Sequence, residues 1–179
     1  EKINVPPTLV AFGITPVKTG NVISPEFKKA GNKLYLVKHT PLADRMPDTD
    51  QLSRNWIFVE DAIQAGKIVS GWALGEGGLA EALCKSSFGN LMGAEVKYCD
   101  KALFSYDFGS ILVEAAEELC YENALYLGEV REDGKLIING ESFCVAQLME
   151  ECGMKHDKVY PQTATALKQN IVPGAAVKK

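Results

Sequence analysis

The chain has 179 residues and an acidic balance, with a formal net charge of −4 and a pI near 5.3. Because 46% of the residues are hydrophobic, a chain of this length can bury a sizeable core, and we expect one domain with short additions. The acidic charge argues against a nucleic-acid or anionic-membrane surface, and no run approaches the roughly 18 apolar residues of a transmembrane helix. We expect a cytoplasmic protein with no nucleic-acid or membrane partner.

The cysteines and the first residues of the chain lead to two further expectations. Five cysteines are present, an odd number, and no two of them have the CxxC spacing of zinc and redox sites. We therefore expect reduced, mostly buried thiols, as in a cytosolic protein. The chain begins at Glu1 rather than at Met and has no signal-peptide pattern. We interpret this as a cut end and expect the chain to be a piece of a longer protein.

Elements in the first part of the chain are predicted from apolar periodicity. Residues 8–14 have the length and composition of a strand. Residues 15–32 are interrupted by Pro and Gly and are expected to form an irregular loop. Alternation then predicts a strand over residues 33–38, and the polar, Pro-containing residues 41–50 are expected to form a surface loop.

A helix is predicted next, from an N-cap at Asp50 to about Ala65, with Gly66 as the glycine that ends it. One face of this helix carries regularly spaced apolar side chains, namely Leu52, Trp56, Val59 and Ile63. Trp56 is accordingly expected to anchor the core.

The middle of the chain is predicted to pass from a strand, through a glycine turn, into a second helix. The strand covers residues 67–74, and the helix runs from Leu79 to about Phe88. Further strands are predicted over residues 93–98 and 110–114, followed by a short helix over residues 115–120.

The last predicted elements are a hairpin and a helix. The β-rich residues 125–129 and 135–139 flank Asp133-Gly134, and Asp-Gly between β-rich runs is a strong hairpin signal. Residues 142–152 are predicted to form a helix. The whole order of elements predicts an α+β fold, a mixed sheet packed with three to four helices.

The turn between the predicted strand and the second helix is the candidate site. It comprises Gly75, Glu76, Gly77, Gly78 and Leu79. Glycine lets the backbone adopt positive φ and lets another group approach the main chain, and the free N–H groups at the start of a helix suit an anion, above all phosphate. The turn lacks the Lys-Ser/Thr ending of a P-loop and is not GxGxxG. A connection that needs glycine only for steric reasons is therefore the other interpretation.

Glu76 has two interpretations as well. Its carboxylate could hold Mg²⁺ against a nucleotide phosphate, or it could interact with the first-turn N–H groups of the helix. It is the one weak candidate for a metal ligand. His39 and His156 lie in no nucleophile or metal motif, and no catalytic residue is assigned.

Residues 73–83, Ala-Leu-Gly-Glu-Gly-Gly-Leu-Ala-Glu-Ala-Leu, resemble a signature of the aminoimidazole ribonucleotide synthetase superfamily. That signature, Asp-Val-Ser-Asp-Gly-Gly-Leu-Ala-x-Ala-Leu, belongs to the C-terminal domain of the superfamily. Other segments are similar to the long, single-chain phosphoribosylformylglycinamidine synthases, namely residues 5–12, 22–34, 87–90 and 105–110. The resemblance covers about residues 5–161 and is to the second C-type domain of those enzymes.

The resemblance implies a function in purine biosynthesis. These synthases use ATP to activate formylglycinamide ribonucleotide and ammonia from glutamine to displace the phosphate, giving formylglycinamidine ribonucleotide. The second C-type domain contributes to an auxiliary, structural nucleotide site. The resemblance therefore implies ATP and magnesium in the full-length enzyme, with no cofactor held tightly by this piece.

The resemblance also implies a division of the chain into four segments. Residues 1–14 would be the closing strand of a preceding N-type domain, 15–32 a crossover, 33–161 the C-type domain and 162–179 a linker toward a glutaminase domain. The expected partners are those N-type and glutaminase domains. Apolar residues 9–12 further predict self-association, as in a homodimer.

The chain departs from the signature at residues 73–75, where Ala-Leu-Gly replaces Asp-Val-Ser and removes a carboxylate and a hydroxyl. Residues 77–79 are then expected to shape a cleft wall through their backbone only, and the isolated chain is expected to be inactive. One alternative is a free-standing α+β module that binds a small anion or nucleotide without catalysis. A sibling of the selenophosphate synthetase or hydrogenase-maturation type is another.

Overall fold

The structure is a computed structural model that describes residues 7–154. Within these residues it has seven strands, three α-helices and two short 3₁₀ turns. The strands and helices are β1 (Lys33–Val37), α1 (Thr49–Gln64), β2 (Ile68–Ala73), α2 (Gly78–Phe88), β3 (Gly93–Val96), β4 (Ile111–Ala115), β5 (Ala124–Arg131), β6 (Lys135–Ile138), β7 (Glu141–Cys144) and α3 (Val145–Met154).

The seven strands form one sheet in the order β2-β4-β1-β5-β3-β6-β7. Every neighbouring pair is antiparallel except β3 and β6, which are parallel. The sheet is therefore mixed, and with three helices it confirms the predicted α+β class.

Two apolar cores lie on the two faces of the sheet, and β1 contributes to both. Leu34 and Leu36 belong to the core that also contains apolar residues of α2 and α3, whereas Tyr35 and Val37 belong to the core shared with α1. Successive side chains of a strand point to opposite faces. The apolar character of β1 thus reflects a central strand that is covered on both sides.

The first part of the chain differs from the sequence prediction in three places. Residues 8–14 form no strand, and the side chains of Leu9 and Ile14 are 96% and 99% exposed, because no strand within the described residues pairs with this run. The N-cap of α1 is Asp48 rather than Asp50, since the Asp48 carboxylate accepts the Gln51 N–H at 2.9 Å. Trp56 is 54% exposed and is not a core anchor.

The second part of the chain corrects two further predictions. Residues 116–120 are irregular rather than helical, because Ala115 completes β4 and the Ala116 N–H donates to the Lys67 carbonyl at 2.9 Å. The predicted hairpin across Asp133-Gly134 is wrong, since β3 lies between β5 and β6. The true hairpin joins β6 to β7 through Asn139-Gly140, and the predicted last helix begins only at Val145.

The thiols are also less buried than the composition suggested. All five are free, but Cys84 is only partly buried and the other four are exposed. No described helix is both long and apolar enough to cross a bilayer. The predicted linker over residues 162–179 lies outside the described residues, and the division into four segments stays a prediction.

Candidate functional site

The glycine turn lies between β2 and α2, as the sequence predicted. Leu74 is the residue just before the turn, and its N–H donates to the Ser110 carbonyl at 2.9 Å, which fixes where the turn begins. Gly75 is partly buried and Glu76 is exposed, whereas Gly78 and Leu79 are buried. The Leu79 side chain belongs to the core, so a cleft here would be lined by the exposed backbone of the turn and by Glu76.

Gly78 is the position in the turn that requires glycine. Its φ is +62°, and a Cβ at this residue would lie 2.5 Å from the Ser105 carbonyl oxygen and 2.8 Å from the Leu103 carbonyl oxygen. Contacts this short do not occur for real side chains, and both oxygens belong to backbone. The requirement therefore comes from the segment 103–105, which passes directly over the start of α2.

Three of the backbone N–H groups around this helix start have partners within the chain. The Gly77 N–H donates to Glu81 Oε2 at 3.2 Å, which resembles a capping box formed one residue later than usual. The Gly78 N–H donates to the Gly75 carbonyl at 3.2 Å, and the Ala80 N–H donates to the Leu103 carbonyl at 2.9 Å. A carboxylate of the chain thus already occupies the place where a helix start would hold an anion.

These bonds decide how well the turn fits a phosphate. A phosphate at the start of α2 would have to displace Glu81 and compete with the Leu103 carbonyl, so the residues present do not fit a phosphate cradle there. Glu81 also takes the capping role that one interpretation gave to Glu76, whose side chain has no hydrogen-bond or ion-pair partner among residues 7–154. The same residues contain no cluster of three His, Cys, Asp or Glu side chains that could hold a metal ion.

A loop of exposed aromatic residues lies next to the turn; the sequence analysis identified residues 105–110 by resemblance only and did not identify their aromatic side chains as a surface. Phe104, Tyr106 and Phe108 are 75%, 71% and 61% exposed, and the rings of Tyr106 and Phe108 stack with centroids 6.1 Å apart. The signal was present as aromatic residues at every second position. Its segment is held against α2 by the contacts at Gly78 and Ala80 described above.

Two grooves, each of about 380 Å³, flank this loop. The first groove adjoins α2, and its mixed lining comprises the apolar Ala80, Leu103, Phe104, Ile138 and Phe143 and the polar Asp100, Asn139 and Glu141. The basic groove lies beyond the end of β1, and its lining includes Lys38, His39, Arg45, Tyr106 and Phe108.

The basic groove has a rigid polar floor. Lys38 forms an ion pair with Asp107, whose other carboxylate oxygen accepts the Ser110 hydroxyl at 2.8 Å. His39 is buried; its Nε2 accepts the Asp48 N–H at 3.2 Å, so its Nδ1 carries the proton and donates to the Phe108 carbonyl at 3.0 Å. Both imidazole nitrogens are therefore occupied by backbone, and His39 holds the loops together rather than serving as a base.

The chain resembles solved structures of much longer enzymes. It is similar to Thermotoga maritima PurL complexed with FGAR (12% identity, TM-score 0.61, 74% of this chain and 30% of that chain) and complexed with ATP (13%, 0.57, 74% and 28%). It is also similar to phosphoribosylformylglycinamidine synthase II from T. maritima (14%, 0.60, 91% and 31%). This chain shares their fold. The aminoimidazole ribonucleotide synthetase-like fold expected from residues 73–83 is thereby confirmed.

The chain matches only part of each of these structures. It spans about three tenths of the length of each of these structures. No protein-family model matches its sequence. The likeness is thus one of fold.

Neither Cys84 nor His39 offers an activated nucleophile or an unoccupied imidazole nitrogen. Burial raises the pKa of the Cys84 thiol, and the nearby Cys152 raises it further, so Cys84 on α2 is not an activated nucleophile. The one imidazole among residues 7–154, that of His39, is occupied at both nitrogens. What the site offers is an exposed turn, an aromatic loop and two grooves.

Proposed function

We propose that the chain is the second C-type domain of a cytoplasmic phosphoribosylformylglycinamidine synthase, an ATP- and glutamine-dependent enzyme of purine biosynthesis. In that enzyme it contributes one wall of the auxiliary, structural nucleotide site and no catalytic residue. The observation that carries the proposal is the fold shared with PurL chains, two of which are complexed with ATP and FGAR. The glycine turn and its signature-like sequence support the same assignment.

The domain contributes to this wall of the nucleotide site through the shape of its surface rather than through charge. Glu81 neutralises the start of α2, so the contacts with a nucleotide come from the partly exposed backbone at Gly75, from Glu76 and from the aromatic loop. The phosphates and magnesium are held by the N-type domain that completes the cleft. In the complete enzyme, the ATP that would supply the phosphoryl group to the amide oxygen of the substrate binds at the other, catalytic site.

The proposal is tested with the chain alone and with an N-type domain joined before it. The chain alone should neither hydrolyse ATP nor use glutamine, and the two-domain form should bind MgATP in a calorimetric titration. Gly75→Val should weaken that binding without unfolding the domain, because a Cβ at Gly75 meets nothing within 4 Å. Turnover by the chain alone, or full affinity in the Gly75→Val variant, would contradict the proposal.

One observation favours the alternative of a free-standing anion-binding module. The basic groove is lined by the Arg45 guanidinium together with Tyr106 and Phe108, a combination that suits a planar anion such as a nucleotide, while the Lys38 ammonium is paired with Asp107 in the same lining. Titration of the isolated chain with ATP and with inorganic phosphate separates the two functions. Micromolar affinity that is lost in Arg45→Ala would favour the module over the synthase domain.

A further inference from the structure

The helices α2 and α3 lie on the same face of the sheet and pack against each other. Val145 at the start of α3 is fully buried, and its N–H donates to the Gly134 carbonyl at 2.9 Å. Leu148, about one turn later, packs against the core that contains α2. Residues three and four apart share one face of a helix. Cys152, four residues after Leu148, therefore lies on the side of α3 that faces α2.

Cys84 is the cysteine of α2, and it lies on the side of that helix that faces α3. It is partly buried and packs against the same core as Leu148. Burial raises the pKa of the Cys84 thiol, and the charge of a Cys152 thiolate raises it further, which requires the two sulfurs to be near each other. The helix faces and this electrostatic interaction thus both place the two thiols at the contact between α2 and α3.

The two thiols differ in a way that suits thiol–disulfide exchange. Cys152 is exposed and can be reached by a small oxidant, whereas Cys84 is sheltered and can be reached most easily by a neighbouring sulfur. The helix that carries Cys152 is lightly held, since Val145 is the one buried residue among its ten. A small shift of α3 can therefore bring the Cα atoms within the roughly 7 Å that a disulfide requires.

We propose that Cys84 and Cys152 form an intramolecular disulfide when the chain meets a small-molecule disulfide such as oxidised glutathione. The Cys152 thiolate attacks one glutathione sulfur and releases the first glutathione thiolate. The Cys84 thiolate then attacks the Cys152 sulfur of the mixed disulfide and releases the second. Two protons and two electrons leave the protein thiols, and one disulfide is exchanged for another.

The cross-link fastens α3 to the helix that begins at the glycine turn. It makes the contact between α2 and α3 a site of reversible oxidation, because reduced glutathione reverses each step. This inference does not depend on the proposed enzymatic function.

The test uses the 179-residue chain in which the other three cysteines, all exposed, are replaced by serine: Cys99, Cys120 and Cys144. In buffers of oxidised and reduced glutathione, this variant should become two hydrogen atoms lighter and carry no glutathione. Peptide mapping by mass spectrometry should join Cys84 to Cys152.

A matched variant retains Cys84 and Cys144 and replaces the other three cysteines by serine. Cys144 is exposed like Cys152, but it precedes α3 instead of lying near its end. This variant should collect glutathione adducts, and its cross-link should need at least about tenfold more oxidised glutathione. In urea the two variants should oxidise alike, because the lengths of chain between their cysteines are similar and loop closure depends only weakly on length.

Two single changes, made in the variant that retains Cys84 and Cys152, test the order of the steps. Cys84→Ser should accumulate a glutathione adduct on Cys152, because the second step is then blocked. Cys152→Ser should leave Cys84 to react at least about tenfold more slowly than Cys152 does, since it is less accessible and its pKa is raised.

The outcomes are distinct. Cross-linking of Cys84 to Cys152 that depends on the native fold, with an adduct trapped on Cys152 by Cys84→Ser, supports the proposal. Adducts without a cross-link at every glutathione ratio overturn it. Equal cross-linking of the Cys84–Cys144 variant, or a preference that persists in urea, also overturns it, because the fold would then not be what pairs the thiols.

Discussion

Gly75 and Gly78 lie in the same turn, but the structure makes different demands on them. A Cβ at Gly75 meets open space, and its φ lies outside the left-handed range, whereas Gly78 has a φ of +62° and backbone oxygens within 3 Å of its would-be Cβ. From the sequence the two glycines were equivalent. Only the position of residues 103–105, far along the chain, distinguishes them.

We expect Gly78→Ala to lower the free energy of unfolding by about 2–4 kcal/mol, because a left-handed alanine is strained and segment 103–105 must also move. Gly75→Ala is the matched control and should change stability by no more than about 0.5 kcal/mol. Urea unfolding of the two variants measures both values. A Gly78→Ala variant as stable as Gly75→Ala would mean that segment 103–105 does not rest on the turn.

Glu114 is a residue whose importance the sequence did not reveal. It lies fully buried in β4, where its carboxylate accepts the backbone N–H groups of Lys28 and Lys29 at 2.7 and 3.0 Å and the Asn32 amide at 2.6 Å. It thereby fixes the segment that leads into β1. Desolvation raises the pKa of Glu114 above its ordinary 4.5, although these hydrogen bonds and the charge of Lys28 oppose the shift.

The raised pKa predicts a specific pH dependence. A group whose pKa is raised by folding contributes stability that is complete below 4.5 and is lost as the pH rises through the folded-state value. Glu114→Gln should lower the free energy of unfolding by about 1–3 kcal/mol, since the glutamine amide faces one of the three donors with its own N–H. Its deficit relative to the wild type should be largest near pH 4 and shrink as the pH rises. A deficit that grows with pH, measured by denaturant unfolding, would contradict the assignment.

At the scale of elements, the sequence predicted where strands and helices lie better than it predicted which strands pair with each other. The strand–turn–helix around residues 67–88 was predicted because its periodicity is local. The hairpin predicted across Asp133-Gly134 is wrong, because β3 lies between β5 and β6 and pairs with both. No local sequence signal indicates that a strand is inserted there. The same limit applies to the candidate site: its glycines could be located, but the Leu103 carbonyl that occupies the Ala80 N–H could not.

The true hairpin depends on Asn139 in two ways. Its φ of 53°, followed by 91° at Gly140, is the geometry of a tight two-residue turn that favours Asn-Gly. Its side chain accepts the Tyr98 N–H at 2.9 Å and donates to the Tyr98 carbonyl at 2.8 Å, which connects the turn to the segment that follows β3.

Substitution of Asn139 separates these two contributions. Asn139→Gly retains the turn geometry and loses only the side-chain hydrogen bonds, so we expect its free energy of unfolding to fall by about 1–2 kcal/mol. Asn139→Ala also places a less tolerant residue at positive φ and should lose about 1 kcal/mol more. Thermal unfolding of both variants gives the comparison. Equal losses would mean that the backbone conformation contributes nothing.

At the scale of the whole molecule, one sheet holds two cores together. The central strand β1 supplies Leu34 and Leu36 to the core that contains α2 and α3, and Tyr35 and Val37 to the core that contains α1. Neither core can lose its packing without disturbing the strand that the other requires. The domain should therefore unfold as a single unit.

The two tryptophans allow this cooperativity to be measured, because Trp56 lies on α1 and Trp72 packs against the α2 core. Variants that retain only one of them, Trp72→Phe or Trp56→Phe, should unfold at the same urea concentration. Leu83→Ala in α2 should then lower the free energy of unfolding by about 2–5 kcal/mol and shift both signals equally, although Trp56 reports the opposite face. Met46→Ala, at an exposed position, serves as the control and should shift neither. A Trp56 transition left in place by Leu83→Ala would mean that the α1 layer is stable without the α2 layer, and that β1 does not couple them.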